Sequence, residues 1–204
     1  MPYASLLILL CAGVVSAGDP LYLQDFDKAK AMPEDLMLNG EFSLKEDGTG
    51  KVLALVTQPL ETYNVTFGPS RKEPTSVSAR IRGDSKGRLY PAFGIGLNGV
   101  SGVIMRISPS KDAVELLLGE TILMTKPFTW KTGTWTRLRL SLEKTGDKWT
   151  VSGRAWRSDT DEPKEWTITC NLEQAPPVGR ATAWGIPYGG NPILFDDLRI
   201  DAVH

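Results

Sequence analysis

The chain has 204 residues, with 23 Lys and Arg against 24 Asp and Glu, a formal net charge of −1. That length suits one domain with a sizeable core, or two small ones. The near-neutral balance removes any overall electrostatic case for nucleic acid or an acidic membrane as partner.

The first element is a leader. Residues 6–15 are apolar apart from the breaks at Cys11 and Gly13, too short a run to span a bilayer as a helix. Val15-Ser16-Ala17 places small residues where a signal peptidase reads them, so residues 1–17 are expected to be removed after Ala17 and 18–204 to form the exported domain, periplasmic or extracellular. Cleavage leaves Cys170 as the one cysteine, so no disulfide within the mature chain is available. Its alternation with Trp166 and Ile168 predicts a buried, inert thiol.

Runs of β-forming residues then recur with turn signals between them. They predict strands at 21–26, 40–44, 52–57, 64–67, 76–82, 89–97, 103–107, 113–118, 122–124, 136–142, 149–156, 165–170, 180–185 and 193–200. Asp47-Gly48, Asn98-Gly99, Gly146-Asp147 and Gly189-Gly190 mark turns. Residues 29–38 offer at most one helical turn, interrupted by Pro33. The 20 Gly and 14 Pro are scattered, with no repeat and no low-complexity linker. The expected fold class is all-β, a two-sheet antiparallel sandwich.

Alternation sorts the side chains by face. Val77, Ala79 and Ile81 oppose Ser78, Arg80 and Arg82, and Leu138, Leu140 and Leu142 oppose Trp135, Arg137, Arg139 and Ser141. Trp149 and Trp166 fall on apolar faces and are expected in the core. Trp156, Trp184, Trp135 and Tyr90 fall among Arg, Ser and Thr, with Tyr188 in a glycine-rich loop. Flat aromatic rings among polar donors are what sugar sites use. Arg154 and Arg180 complete the candidate carbohydrate site. If Arg80, Arg82, Arg88, Arg106, Arg137 and Arg139 line the same sheet, the site is cationic and suits anionic glycans; otherwise they are solvent-facing side chains paired with nearby acids.

No catalytic set is recognised. The one histidine is the last residue, His204, which leaves no Ser-His-Asp or Cys-His arrangement and no His/Cys cluster for zinc or copper. Asp159, Asp161, Glu162 and Glu165 form the densest acidic run, flanked by Arg157 and Lys164, and read as a solvated loop with local ion pairs. Asn64-Val65-Thr66 matches a glycosylation acceptor.

Gly133-Thr134-Trp135, the strand KWTVSGRAWR at 148–157, then Glu162-Pro163-Lys164-Glu165-Trp166, Gly179-Arg180 and the closing Phe195-Asp196-Asp197-Leu198-Arg199-Ile200 make a pattern. With Asp25-Phe26 near the start, it resembles the concanavalin-A-like, laminin-G-like jelly rolls of secreted bacterial proteins, including domains of the 3-keto-disaccharide hydrolase type. The resemblance implies a jelly roll over nearly the whole mature chain. It also implies a structural calcium between first and last strands, with Asp196 as one ligand and Asp25 or Asp27 as the other. Asp196 alternates with Leu194, Leu198 and Ile200 and so is expected to point toward the core, either on calcium or accepting backbone N–H groups.

The sequence thus predicts a secreted, non-catalytic, lectin-like module for a carbohydrate or cell-surface polymer. The alternatives are a glycan hydrolase with Asp and Glu drawn from separate strands, as the resemblance implies, and a structural domain without a small ligand.

Overall fold

The computed structural model describes residues 19–48, 50–57 and 61–203; the expected leader lies outside them. In chain order the strands are β1 (Tyr22–Gln24), β2 (Met37–Asn39), β3 (Phe42–Asp47), β4 (Gly50–Leu55), β5 (Tyr63–Arg71) and β6 (Thr75–Arg82). They continue as β7 (Ala92–Leu97), β8 (Val103–Ser108), β9 (Ala113–Leu118), β10 (Thr121–Pro127) and β11 (Thr136–Thr145). The last are β12 (Lys148–Arg157), β13 (Ile168–Leu172), β14 (Gly179–Ile186) and β15 (Ile193–Ala202). Among the described residues the one helical piece is the 3-10 turn Pro109–Lys111. No helix there is long and apolar enough to cross a membrane.

The strands form two antiparallel sheets. Sheet I runs β13-β12-β11-β6-β15-β4-β3, with β1 beside the second half of β15; sheet II runs β10-β9-β8-β7-β14-β5-β2. The fold class is the all-β sandwich that the alternation predicts. Inward residues of both sheets meet in one cluster that includes Val77, Ile81, Leu138, Leu140, Ile95, Met105, Val65 and Phe195. Each large side chain buried there stabilises the sandwich by about 1.5–3 kcal/mol. The sheets touch most closely where one side supplies a glycine. A Cβ at Gly153 on β12 would lie 2.6 Å from the Met105 sulfur on β8, and one at Gly185 on β14 would lie 2.8 Å from Leu55 of β4.

Several expectations need correction. Residues 29–38 hold no helical turn: two tight turns, closed by Ala29 N–H to Phe26 C=O and Leu36 N–H to Pro33 C=O, lead into strand β2. Leu89 and Tyr90 precede β7, held only by a bridge between Lys86 and Leu89. Trp166 lies ahead of β13 and is half-buried outside the core, its ring 3.9 Å beneath the Arg154 guanidinium. Cys170 is half-buried at the edge strand of sheet I.

Asp196 does not share a face with Leu198 and Ile200. A bulge at Asp197, whose φ is +51°, shifts the register of β15 against β6 between Asp196 and Arg199. The extra residue turns Leu198 and Ile200 inward to join Phe195 and leaves Asp196 on the outer side, opposite Arg80.

Candidate functional site

The outer face of sheet II carries a groove. On β14, Ala181, Ala183 and Gly185 point inward, so Thr182 and Trp184 point out. Opposite them on β7 stand Gly96 and Gly94. The absence of side chains there makes room for the indole: a Cβ at Gly96 would sit 2.5 Å from the Thr182 hydroxyl and 3.2 Å from Trp184 Nε1. Trp184 Nε1 donates to Thr182 Oγ1 at 2.7 Å, which fixes the ring along its strand.

Trp184 stands between two adjoining hollows and lines both. The first, about 420 Å³, is walled by Ile104, Leu117, Ile186 and Val100, with Arg106 and Glu120. The second, about 470 Å³, is more open and carries Asn39, Asn64, Thr66 and Met37. Thr62 and Val100 belong to both. An aromatic plane with apolar walls on one side and amides and hydroxyls on the other is the chemistry of a sugar site. Among the described residues the two hollows include one carboxylate, Glu120.

Arg106, which lines the groove, is held by an acid beside it. It faces Glu115 across the β8–β9 pair, where its Nε donates to Oε2 at 2.9 Å. Ser108 donates to the same oxygen at 2.7 Å and Lys111 Nζ to Oε1 at 2.9 Å. Burial pushes the Glu115 carboxyl up, but these donors outweigh it and hold the group below the usual carboxylate range.

Sheet I presents a different outer face, a lattice of arginines and acids. Arg80 pairs with Asp196 and, at 3.5 Å, with Asp197; Arg137 pairs with Asp197 at 2.9 Å. Arg82 pairs with Asp47 at 3.1 Å. Arg139 and Arg154 both hold Glu162, at 2.9 and 2.8 Å. Arg80, Arg82, Arg137 and Arg139 thus share the outer face of sheet I but are paired with acids, while Arg106 lies on sheet II and Arg88 in an exposed loop.

The candidate aromatics split in the same way. Trp135 packs on Val52, Ala54 and Leu194 on the outside of sheet I, with Arg80 and Arg82 over its ring at 4.8 and 5.3 Å. Trp156 lines a separate polar hollow on sheet I beside Arg137 and Arg139. Tyr90 and Tyr188 are exposed, in the loops before β7 and after β14. Arg180 is committed to structure, donating to the carbonyls of Gly68 and Asp35, both at 2.6 Å. Of the seven residues, Trp184 alone lines the sheet II groove. Asn64, the acceptor of the glycosylation pattern, is 6% exposed within β5 and faces the groove.

The residues proposed for calcium do not fit it. Asp196 accepts from Arg80 Nε at 3.0 Å and from the Asp197 amide at 2.8 Å. Asp25 accepts the Asp27 amide, and Asp27 accepts the Lys51 amide, both at 3.2 Å. Asp27 and Asp197 both add to the field that raises Arg80 against its burial. Arg80 thus supplies the positive charge among these acids, and no cluster of three His, Cys, Asp or Glu suited to a metal occurs among the described residues.

Thr62, Asn39, Ile104, Leu117 and Glu120 had not been singled out in the sequence. One signal was there: β8 and β9, read as VIMRIS and AVELLL, each carry a large apolar residue on the face that also bears Arg106, Ser108 and Glu115. Ile104 and Leu117 are the outward members, 8% and 3% exposed.

No protein-family model matches the chain, and no curated protein does. Solved structures do. A carbohydrate-binding module, CBM66 from Bacillus subtilis, superposes with a TM-score of 0.56 at 12% identity, over 82% of this chain and 96% of that one. The carbohydrate recognition domain of Emp46p in a potassium-bound form gives 0.61 at 11%, over 90% and 98%. The lectin UEA-II complexed with galactose gives 0.59 at 11%, over 90% and 99%. At these identities the likeness establishes a shared jelly-roll fold.

Proposed function

We propose that this chain is an exported, lectin-like module that binds a glycan along the outer groove of sheet II without cleaving it. The observation that carries the reading is Trp184, a half-buried indole held by Thr182 and lining both hollows. Sugar rings stack on such a surface, while Thr62, Asn39, Asn64 and Thr66 offer hydroxyl and amide partners. Sharing a fold with a carbohydrate-binding module and a galactose-complexed lectin supports the same reading. Export rests on the leader at 1–17.

The ligand of this groove is a neutral glycan. Its one arginine, Arg106, has Nε and Nη2 engaged by Glu115, and the Glu120 carboxylate in the same lining opposes an acidic sugar. Glycoside hydrolysis works with two carboxylates, and Glu120 has no second beside it in the described lining.

An array of neutral and acidic glycans tests this. Binding to neutral glycans that is lost in Trp184→Ala, with the melting temperature unchanged, supports it. Absence of binding to every neutral glycan, or neutral-glycan binding that survives Trp184→Ala, contradicts it.

A further inference from the structure

On the opposite face of the sandwich, sheet I holds a second hollow of about 300 Å³ with a different chemistry. Cross-strand register builds it. Arg80, Arg137 and Trp156 form one outward row over β6, β11 and β12, and Ser78, Arg139 and Arg154 form the next. Placing arginines directly opposite one another destabilises a sheet unless anions intervene. The chain supplies one: Glu162, from the loop after β12, sits between Arg139 and Arg154. It accepts from Arg139 Nε at 2.9 Å and Nη2 at 3.1 Å on its two oxygens, and from Arg154 Nη1 at 2.8 Å. The pair of arginines is thus already seen gripping a carboxylate side-on.

Not all the donors are used. Among the described residues Arg137 makes one hydrogen bond, from Nη2 to Asp197, and its remaining N–H groups have no partner there. Among the described residues Arg139 Nη1 has only Asp201, at 3.9 Å. These groups line the hollow together with Ser78 and the half-buried Trp156. Two acids, Asp161 and Glu162, complete the wall; their charge weakens an incoming anion and sets how tightly it is held.

We propose that this hollow is a second ligand site that takes a carboxylate-bearing sugar, a uronate unit. Its carboxylate lies on the free edge of Arg137 and on Arg139 Nη1, and its ring lies against Trp156. Guanidinium forks suit planar carboxylates, and the adjacent indole suits a pyranose face. The site is independent of the sheet II groove, from which it is separated by the core.

Titration calorimetry of the protein with glucuronate and with a galacturonate oligomer, against glucose and inorganic sulfate, tests the proposal. Uronate binds and glucose does not. Arg137→Gln and Trp156→Ala each weaken uronate binding by roughly ten-fold or more at an unchanged melting temperature. Glu162→Gln, which removes the resident negative charge, strengthens it several-fold, whereas a purely structural Glu162 gives only a loss of stability. Trp184→Ala leaves uronate binding as it was, which separates this site from the groove. No uronate binding, binding indifferent to Arg137→Gln, or sulfate binding of equal strength that ignores Trp156→Ala overturns the proposal.

Discussion

The indole nitrogen of Trp184 donates to the hydroxyl of Thr182, two residues back on the same strand, at 2.7 Å. Thr182 is fully buried, so this acceptor is fixed, and the ring it holds is fixed with it. Thr182→Val keeps the shape and removes the acceptor. An N–H left without its partner costs about 1–3 kcal/mol when water cannot reach it. The variant is expected to unfold at lower denaturant and to lose affinity for the groove's glycan; wild-type affinity in Thr182→Val contradicts this account of how the ring is held.

Glu115 is the anchor of the groove's far wall. Its depressed folded pKa means that its stabilisation is present above the unfolded value of about 4.3 and is lost as pH falls through the folded one. Glu115→Gln is therefore expected to lower stability by about 2 kcal/mol at pH 7, given partners that are partly solvated. The gap from wild type narrows as pH drops below about 4.3. Urea titrations of both proteins from pH 3 to pH 7 measure it, and a gap independent of pH contradicts the assignment.

Asp196 behaves in the opposite sense. Burial outweighs the Arg80 guanidinium and the Asp197 amide, and pushes its carboxyl up to about 6. The folded state therefore takes up a proton that the unfolded chain has already lost. The resulting stabilisation is complete below the unfolded pKa of about 3.9 and disappears as pH rises through about 6. Asp196→Asn is expected to flatten this decline between pH 4 and pH 6. An unaltered slope in the variant sinks the idea.

Asp196 and Asp197 are already held by Arg80, and Asp25 and Asp27 accept backbone amides, so among the described residues no set of carboxylates is gathered for calcium there. Millimolar calcium or a chelator is expected to leave the melting temperature where it was. A rise of several degrees with calcium, abolished by Asp196→Asn, places a metal at this edge after all.

Much of the fold was legible because strand alternation is a local signal. Val77, Ala79 and Ile81, or Leu138, Leu140 and Leu142, announce their buried face without reference to any other strand. What alternation cannot carry is order across a sheet. Trp156 and Trp184 look equivalent in sequence, each alternating with polar residues, Arg154 before one and Thr182 before the other, yet β12 and β14 belong to different sheets and their rings face opposite ways. The same ignorance of order left the arginines undivided. Asp196 was misplaced for a local reason: one left-handed residue, Asp197, inserts a bulge that reverses the faces on its two sides. Strand β2 was lost because three residues beside turns carry too little pattern to register.

The central claim is that glycan lies on Trp184. Its most direct test is nuclear magnetic resonance of the six indole N–H signals, assigned by single Trp→Phe variants, during titration with a neutral glycan found by array. The account predicts that the Trp184 signal shifts with saturation while Trp149, buried between the sheets, and Trp135 and Trp156, on sheet I, stay in place. A saturating glycan that moves Trp156 or Trp135 and leaves Trp184 unmoved contradicts it.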